Sequence, residues 1–361
     1  MPDLDALRAV LSRFAVDFDD RPPLSPFGNG NVHATYLAGT VPPTVLQCVN
    51  RAVFPDPRAV MENVAAVTRH LQKRIVCDGE DPLRGTLTLI PDREAGLPYV
   101  LLDGEYYRLT RLIPDAVSFD VAGPDALYRA AGVYGRFVRR LSDFPADTLH
   151  EVIPGFHDTR ARFETFLSTV EADPVGRAAS DSDEIAFVLA READCGVIVD
   201  AMAAGDVPLR VTHNDTKLNN FLFDKATGDC IALIDLDTVM PGSLLFDYGD
   251  ALRAGAASAS EDETDLDRVF FKTENVAAFT RGFLEEFGEK LTPRERELLP
   301  FSVKLITLEC GMRFLTDYLA GDVYFRTRYP AHNLARARNQ FALVRSAEQN
   351  LSAFTALVEQ A

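Results

Sequence analysis

The residues from Leu209 to Asp237, LRVTHNDTKLNNFLFDKATGDCIALIDLD, constrain this chain more than any other stretch. His213-x-Asp215 is followed five residues later by Asn220, and a short apolar strand over 231–234 ends on Asp235, fifteen residues beyond Asn220. Two carboxylates and an amide at these intervals meet the needs of phosphoryl transfer. One carboxylate orients the attacking hydroxyl, and the other shares a metal ion with the amide. On this reading Asp215 is the base, and Asn220 and Asp235 hold magnesium, which keeps several waters and so needs few protein oxygens. Asp237 points to the same side of an extended chain as Asp235 and is expected as a further carboxylate near the metal. His213 is expected to brace the loop by hydrogen bonds rather than to act chemically. The plainer alternative is that Asn and Asp stand here as turn formers. The strand ending on Asp235 and the strand-rich region upstream favour a site.

Composition narrows the class. A chain of 361 residues has room for two or three lobes. A formal net charge of −17 argues against a nucleic-acid binder, which needs clustered Lys and Arg. Five cysteines, odd in number and far apart, argue against a disulfide framework or a structural zinc site. The start, MPDLDALRAVLSRF, is acidic where a signal peptide is basic, and no run approaches ~18 apolar residues. A reducing cytoplasm is the expected compartment.

Along the chain, Leu4, Leu7, Leu11 and Phe14 recur at helical spacing, and Pro22, Pro23 and Pro26 break the pattern. Strands are expected in GNGNVHATYLAG, TVLQCVN, TLTLI, LPYVLL and EYYRLTRL, with Asp103-Gly104 as a hairpin turn between the last two. One helix interrupts them, with Val60, Val64, Val67 and Leu71 as its buried stripe. After Pro124 the texture turns helical. Leu127, Ala131, Tyr134, Val138 and Leu141 mark one helix, and others are expected near 160–172, 182–204, 274–288, 294–320 and 332–358. The acidic run Glu261, Asp262, Glu263, Asp265 and Asp267 reads as a solvated face. The class is α+β: a small antiparallel-sheet lobe with one inserted helix, residues 1–114, and a larger mainly helical lobe, residues 115–361.

Gly28 and Gly30, reading G-N-G at a strand start, let backbone approach phosphates or serve an ordinary turn. In the strand TVLQCVN, Gln47 stands where a kinase places the lysine that grips phosphates. An amide cannot neutralise charge, so metal, backbone or another cation must hold the triphosphate, with Arg51, Arg58 and Arg111 as unranked candidates. Arg111, Leu112 and Ile113 close the small lobe beside a natural pivot at 112–115 and are expected to face the nucleotide.

The blocks NRAVFPDPRAVMENVAAVT (50–68), FHDTRARFE (156–164), LRVTHNDTKLNN (209–220) and IDLDTVMPGSLLFDYGDALR (234–253) resemble the aminoglycoside phosphotransferase and choline kinase superfamily. So do ELLPFSVKLITLECGMRFLTDYLAGDVYF (297–325) and YPAHNLARARNQ (329–340). Within it the chain is similar to the N-acetylhexosamine 1-kinases over nearly its whole length. The resemblance implies a two-lobed protein-kinase-like fold. It also implies transfer of the γ-phosphate of ATP, with Mg2+, to the anomeric hydroxyl of an N-acetylhexosamine, without nucleic-acid or membrane partners. Asp215 would be the base, Asn220 and Asp235 the metal ligands, and Arg313 and Tyr324 would hold the sugar. The alternative for Arg313 is a structural ion pair. Two departures put the choice of sugar in question: Asn31 where the family often has His, and Ala254 where it can carry an aromatic residue. Cys48 also replaces the usual Arg after Gln47. Other small alcohols as acceptor, or a kinase-like protein that binds without transfer, are the competing readings.

Overall fold

The computed structural model describes residues 4–18, 21–28 and 32–360. Gly30 and Asn31 therefore lie outside the described residues. In chain order the elements begin α1 (Leu4–Ser12), β1 (Leu24–Pro26), β2 (Ala34–Ala38), β3 (Thr44–Cys48), α2 (Pro57–Cys77) and α3 (Pro82–Gly85). They continue β4 (Leu89–Ile90), β5 (Val100–Leu102), β6 (Glu105–Arg111), β7 (Ala116–Val117), α4 (Pro124–Arg140) and α5 (Thr159–Ala172). Next come α6 (Ser182–Leu189), α7 (Glu192–Cys195), α8 (Val197–Ala203), β8 (Arg210–Thr212), β9 (Phe221–Asp224) and β10 (Cys230–Leu233). The last are β11 (Met240–Gly242), α9 (Leu244–Gly255), α10 (Thr273–Phe287), α11 (Pro293–Ala320) and α12 (His332–Gln360). Two compact units share them: Met1–Val117, Arg140–Ile153 and Leu222–Pro241 form one, and Ser118–Arg139, Pro154–Phe221 and Gly242–Ala361 the other.

In the first unit an antiparallel sheet runs β1-β2-β3-β6-β4, with β5 also on β6. The β5–β6 hairpin turns at Asp103 (φ 52°) and Gly104 (φ 81°), the paired left-handed residues that an Asp-Gly loop supplies cheaply. Leu7 and Leu11 from α1 and Phe14 just beyond it pack with Tyr36, Leu46, Val100 and Leu109 from the sheet. Helix α2 starts where Asp56 Oδ1 accepts from the amides of Arg58 (3.1 Å) and Ala59 (3.2 Å), with Pro57 in the first turn. Val60, Val64, Val67 and Leu71 are all buried, each contributing about 1.5–3 kcal/mol of apolar burial. A second small sheet runs β10-β9-β7.

The second unit is helical. Thr292 and Glu295 form a capping box at the start of α11, and Gly321 (φ 101°) ends it in the left-handed region. Helices α9 and α11 approach so closely that a Cβ on Gly249 would lie 2.5 Å from the Ser302 carbonyl oxygen. Phe163, Phe166, Leu308, Met312, Leu315, Phe341 and Val344 fill the core among α5, α11 and α12.

Three expectations are corrected. The stretch 182–204 is three short helices rather than one, broken where Arg191 forks onto Glu348 at 2.9 and 2.8 Å and stacks on Phe187. Helix α9 was not expected. It is buried nearly all round and contains Gly249, so it shows no amphipathic stripe. Strand β1 holds Pro26, which an edge strand tolerates. No helix among the described residues is long and apolar enough to cross a membrane.

Candidate active site

The expected site residues fall in both units. In the second, the loop after β8 carries His213, Asp215 and Asn220. Its anchor is Asp247, fully buried in the first turn of α9. One oxygen of Asp247 accepts from the His213 amide (2.8 Å) and the other from the Asn214 amide (2.6 Å), while the Thr216 hydroxyl donates to the Asp247 carbonyl (2.6 Å). Burial pushes the Asp247 carboxyl above the ordinary aspartate value, against the opposing pull of His213 and the two amides. Asn214 is left-handed (φ 62°), and its side chain donates to Thr212 Oγ1 at 2.9 Å, a local bond that makes Asn suitable there. His213 Nδ1 accepts from the Asp215 amide (3.2 Å), which puts its ring proton on Nε2.

Asp215 is about one-third exposed, with a side-chain accessibility of 30%. Lys217 Nζ (2.8 Å) and Asn220 Nδ2 (3.0 Å) both contact its Oδ2. Asn220 Nδ2 also donates to the Asp215 carbonyl (2.8 Å), so Oδ1 is the atom of this buried amide fit to meet a cation. Lys217 was not among the expected site residues. Its place two residues along an extended backbone (φ −61°, ψ 150°) is the signal that could have found it.

In the first unit, β10 leads to Asp235, which is left-handed (φ 63°, ψ 59°) and opens a single 3-10 turn, Leu236–Thr238. Asp237 lies in that turn, but not as a free carboxylate. Arg108 grips both its oxygens, Nη1 on Oδ1 and Nη2 on Oδ2 at 2.9 Å, and His33 Nε2 is bonded to Oδ2. Burial alone would raise the Asp237 carboxyl; Arg108 and His33 outweigh it and hold the group well below the usual carboxylate range. Three donors therefore reach this carboxylate, one on Oδ1 and two on Oδ2.

The cation beside Gln47 is Arg108, which was not among those expected. Arg108 Nε donates to Gln47 Oε1 at 2.8 Å, and the two residues stand opposite each other on β3 and β6. Arg51 instead donates to the Gly104 carbonyl (3.1 Å), and Arg58 pairs with Glu62 on the exposed face of α2 (2.7 Å). Arg111 ends β6 opposite Thr44, the Leu112 amide donates to the Pro43 carbonyl (3.0 Å), and Ile113 is buried. Gly28 is left-handed (φ 76°), with open space where a Cβ would stand.

Arg313 and Tyr324 come together in the second unit through Phe325. The Arg313 guanidinium lies 5.6 Å from the Phe325 ring and 5.3 Å from that of Phe156, and Tyr324 meets Phe325 edge-on at 4.8 Å. Buried Glu309 lies 3.8 Å from Arg313 and accepts from His157 Nδ1 at 3.0 Å. Burial would raise the Glu309 carboxyl; His157, Arg313 and Arg162 hold it low. Arg162 is held less basic than usual by burial and by Arg313. Asp317 fixes the loop that presents Tyr324, accepting the amides of Val323, Tyr324 and Phe325 at 2.7–2.9 Å. Ala254 is half-buried near the end of α9, next to Arg253 in its ion pair with Asp250 (2.8 Å).

A model of the phosphotransferase enzyme family, APH, matches residues 23–287. The chain belongs to the APH phosphotransferase family. It is a phosphotransferase with an alcohol group as acceptor. A choline/ethanolamine kinase family protein from Mesorhizobium loti is similar over 99% of both chains (20% identity, TM-score 0.60). A microcompartment-associated aminopropanol kinase matches over 98% of this chain and 99% of its own (15%, TM-score 0.60). An amicoumacin kinase in complex with AMP-PNP and Ca2+ matches over 94% and 93% (13%, TM-score 0.60). These likenesses show the protein-kinase-like α+β fold.

Among the described residues of this APH phosphotransferase, no three His, Cys, Asp or Glu side chains group as a self-contained metal cage. Magnesium keeps several waters and so needs few protein oxygens, of the kind that Asn220 Oδ1 offers.

Proposed function

We propose that this phosphotransferase moves the γ-phosphate of ATP to the anomeric C1 hydroxyl of N-acetylglucosamine or N-acetylgalactosamine. The observation that carries the chemistry is Asp215, held on one oxygen by Lys217 and Asn220 so that the other is available to the acceptor hydroxyl. An anomeric hydroxyl is more acidic than an ordinary alcohol, so a carboxylate of modest basicity serves to orient it and take its proton. Asn220 and Asp235 would each offer an oxygen to Mg2+, which neutralises charge on the nucleotide phosphates. Alignment supplies most of the rate, and the backbone bonds to Asp247 keep the loop aligned. Residues 1–114 act as the nucleotide lobe, with Gly28, Gln47 and 111–113 on that side. Residues 115–361 act as the catalytic and acceptor lobe of a cytoplasmic enzyme.

The Arg313 cluster supports a neutral acceptor. Two guanidiniums, Arg162 and Arg313, lie around buried Glu309 beside aromatic faces, with Asp158 also acting on Arg162. Planar donors and rings suit sugar hydroxyls and an acetamido group. The test is an ADP-release assay comparing kcat/KM for the two N-acetylhexosamines, galactose, glucose, choline, an aminopropanol and an aminoglycoside. N-acetylhexosamines should lead by at least about tenfold. A preference for choline or another amine would replace the acceptor assignment and leave the phosphotransferase in place. Failure to consume ATP with every acceptor would favour the binding protein.

A further inference from the structure

A polar row crosses the sheet of the first unit. Thr35, Gln47 and Arg108 stand directly opposite one another on β2, β3 and β6. Hydrogen bonds run along the row, from Gln47 Nε2 to Thr35 Oγ1 (3.2 Å) and from Arg108 Nε to Gln47 Oε1 (2.8 Å). The row ends on Asp237, which Arg108 grips with its fork. From just ahead of β2, His33 reaches the same carboxylate through Nε2. Its Nδ1 accepts from the Asn50 amide (3.0 Å), so Nε2 carries the proton and donates. The ring is kept in place by stacking on Phe54, centroids 5.7 Å apart.

The other end of the turn is held as firmly. Buried Asn63 on α2 donates to the Val239 carbonyl (2.9 Å) and is itself fixed by two bonds with the His150 backbone, at 2.8 and 2.9 Å. Asp235 sits between β10 and these two anchors. Its left-handed backbone (φ 63°) is uncommon for a residue with a Cβ, although Asp is among those that adopt it. Arg108 is 3% exposed, with its fork on Asp237 and its Nε on Gln47, which leaves it badly placed to grip a phosphate itself.

We propose that Arg108 and His33 are positioning residues that act through Asp237 to hold Asp235 in the orientation needed to bind the nucleotide's divalent cation. Gln47, at the sheet position that a phosphate-gripping lysine fills in other kinases, braces the arginine that grips Asp237. This rests on Asp235 being a cation ligand. Partners behind a metal ligand fix its direction, and their loss weakens metal binding by about 10–100-fold.

The test measures Mn2+ binding by electron paramagnetic resonance with a non-hydrolysable ATP analogue. It runs on Asp237→Asn, Arg108→Met, Arg108→Lys and His33→Phe, with Asp235→Asn as reference. Circular dichroism restricts the comparison to folded protein. Arg108→Met and Asp237→Asn should weaken Mn2+ binding at least about tenfold, with the Mg2+ needed for half-maximal activity rising in parallel and acceptor KM unchanged. Arg108→Lys keeps the charge but loses the fork, and should fall between wild type and Arg108→Met. His33→Phe keeps the stack and removes one donor, so it stays informative if the Arg108 variants fail to fold; about a threefold loss is expected. Wild-type Mn2+ binding in the folded clamp variants, with binding lost in Asp235→Asn, overturns the clamp alone. Wild-type binding in Asp235→Asn overturns the clamp together with the metal assignment it serves. A raised KM for ATP in Arg108→Met with unchanged Mn2+ binding would make Arg108 a phosphate ligand instead.

Discussion

The loop bearing Asp215 and the turn bearing Asp235 are built on the same plan with different materials. Each contains a non-glycine left-handed residue, Asn214 (φ 62°) or Asp235 (φ 63°), and each is tied to a buried carboxylate. Asp247 holds the loop through peptide amides, whereas Asp237 is held by the side chains of Arg108 and His33. The charge states follow. The pull of His213 and the two amides does not repay the burial of Asp247, whose carboxyl is pushed up, while Arg108 and His33 keep Asp237 low. A loop fixed by backbone depends on one helix staying in place. A turn fixed by charge depends on strand β6 and on the segment ahead of β2.

The largest expected effect lies at the residue the loop presents. Asp215→Asn keeps the contacts to the backbone and removes the proposed proton acceptor. Steady-state kinetics should show kcat falling by about 10²–10⁴-fold, with an unchanged circular dichroism spectrum. Near-normal turnover would mean that the loop does not present the base.

How far this plan was legible in the sequence differs between the two regions. His213, Asp215 and Asn220 lie within one short stretch, so local spacing exposes them, and the hairpin at Asp103-Gly104 and the stripe of α2 are local in the same way. The supports are not local. Asp247 is 32 residues beyond Asp215 by number, in a helix whose all-round burial erases its period. Arg108 meets Asp237 across 129 residues and meets Gln47 through strand register, which a sequence does not display. For Asp237 the spacing from Asp235 is local, but the partners that hold its carboxylate are not.

An intermediate effect tests the loop's anchor. Asp247→Asn presents an amide where two N–H groups need acceptors, leaving at least one unpaired at a cost of about 1–3 kcal/mol in urea unfolding. Its pH dependence has a definite sign. The folded carboxyl titrates above the unfolded one, so as pH rises past about 3.9 the unfolded chain sheds its proton first and stability falls until the folded value is passed. The Asn variant should lack that component of the slope. An identical slope would mean that Asp247 does not carry the charge described.

The smallest effect is expected at Lys217. It pairs with Asp215 at 2.8 Å, but both side chains are substantially exposed, so Lys217→Ala should change stability by less than about 1 kcal/mol. On the proposed assignment of Asp215 as base, turnover should drop more than stability does, because the lysine orients that carboxylate. A variant that unfolds readily yet turns over normally would reverse that assignment.

The most direct test of the central claim is phosphorus NMR of the product formed from ATP, Mg2+ and N-acetylglucosamine or N-acetylgalactosamine. The phosphate should appear on C1, with the coupling to the anomeric proton expected of a hexosamine 1-phosphate. Phosphate on any other hydroxyl, or no sugar phosphate while an amino alcohol is phosphorylated in parallel, would contradict it.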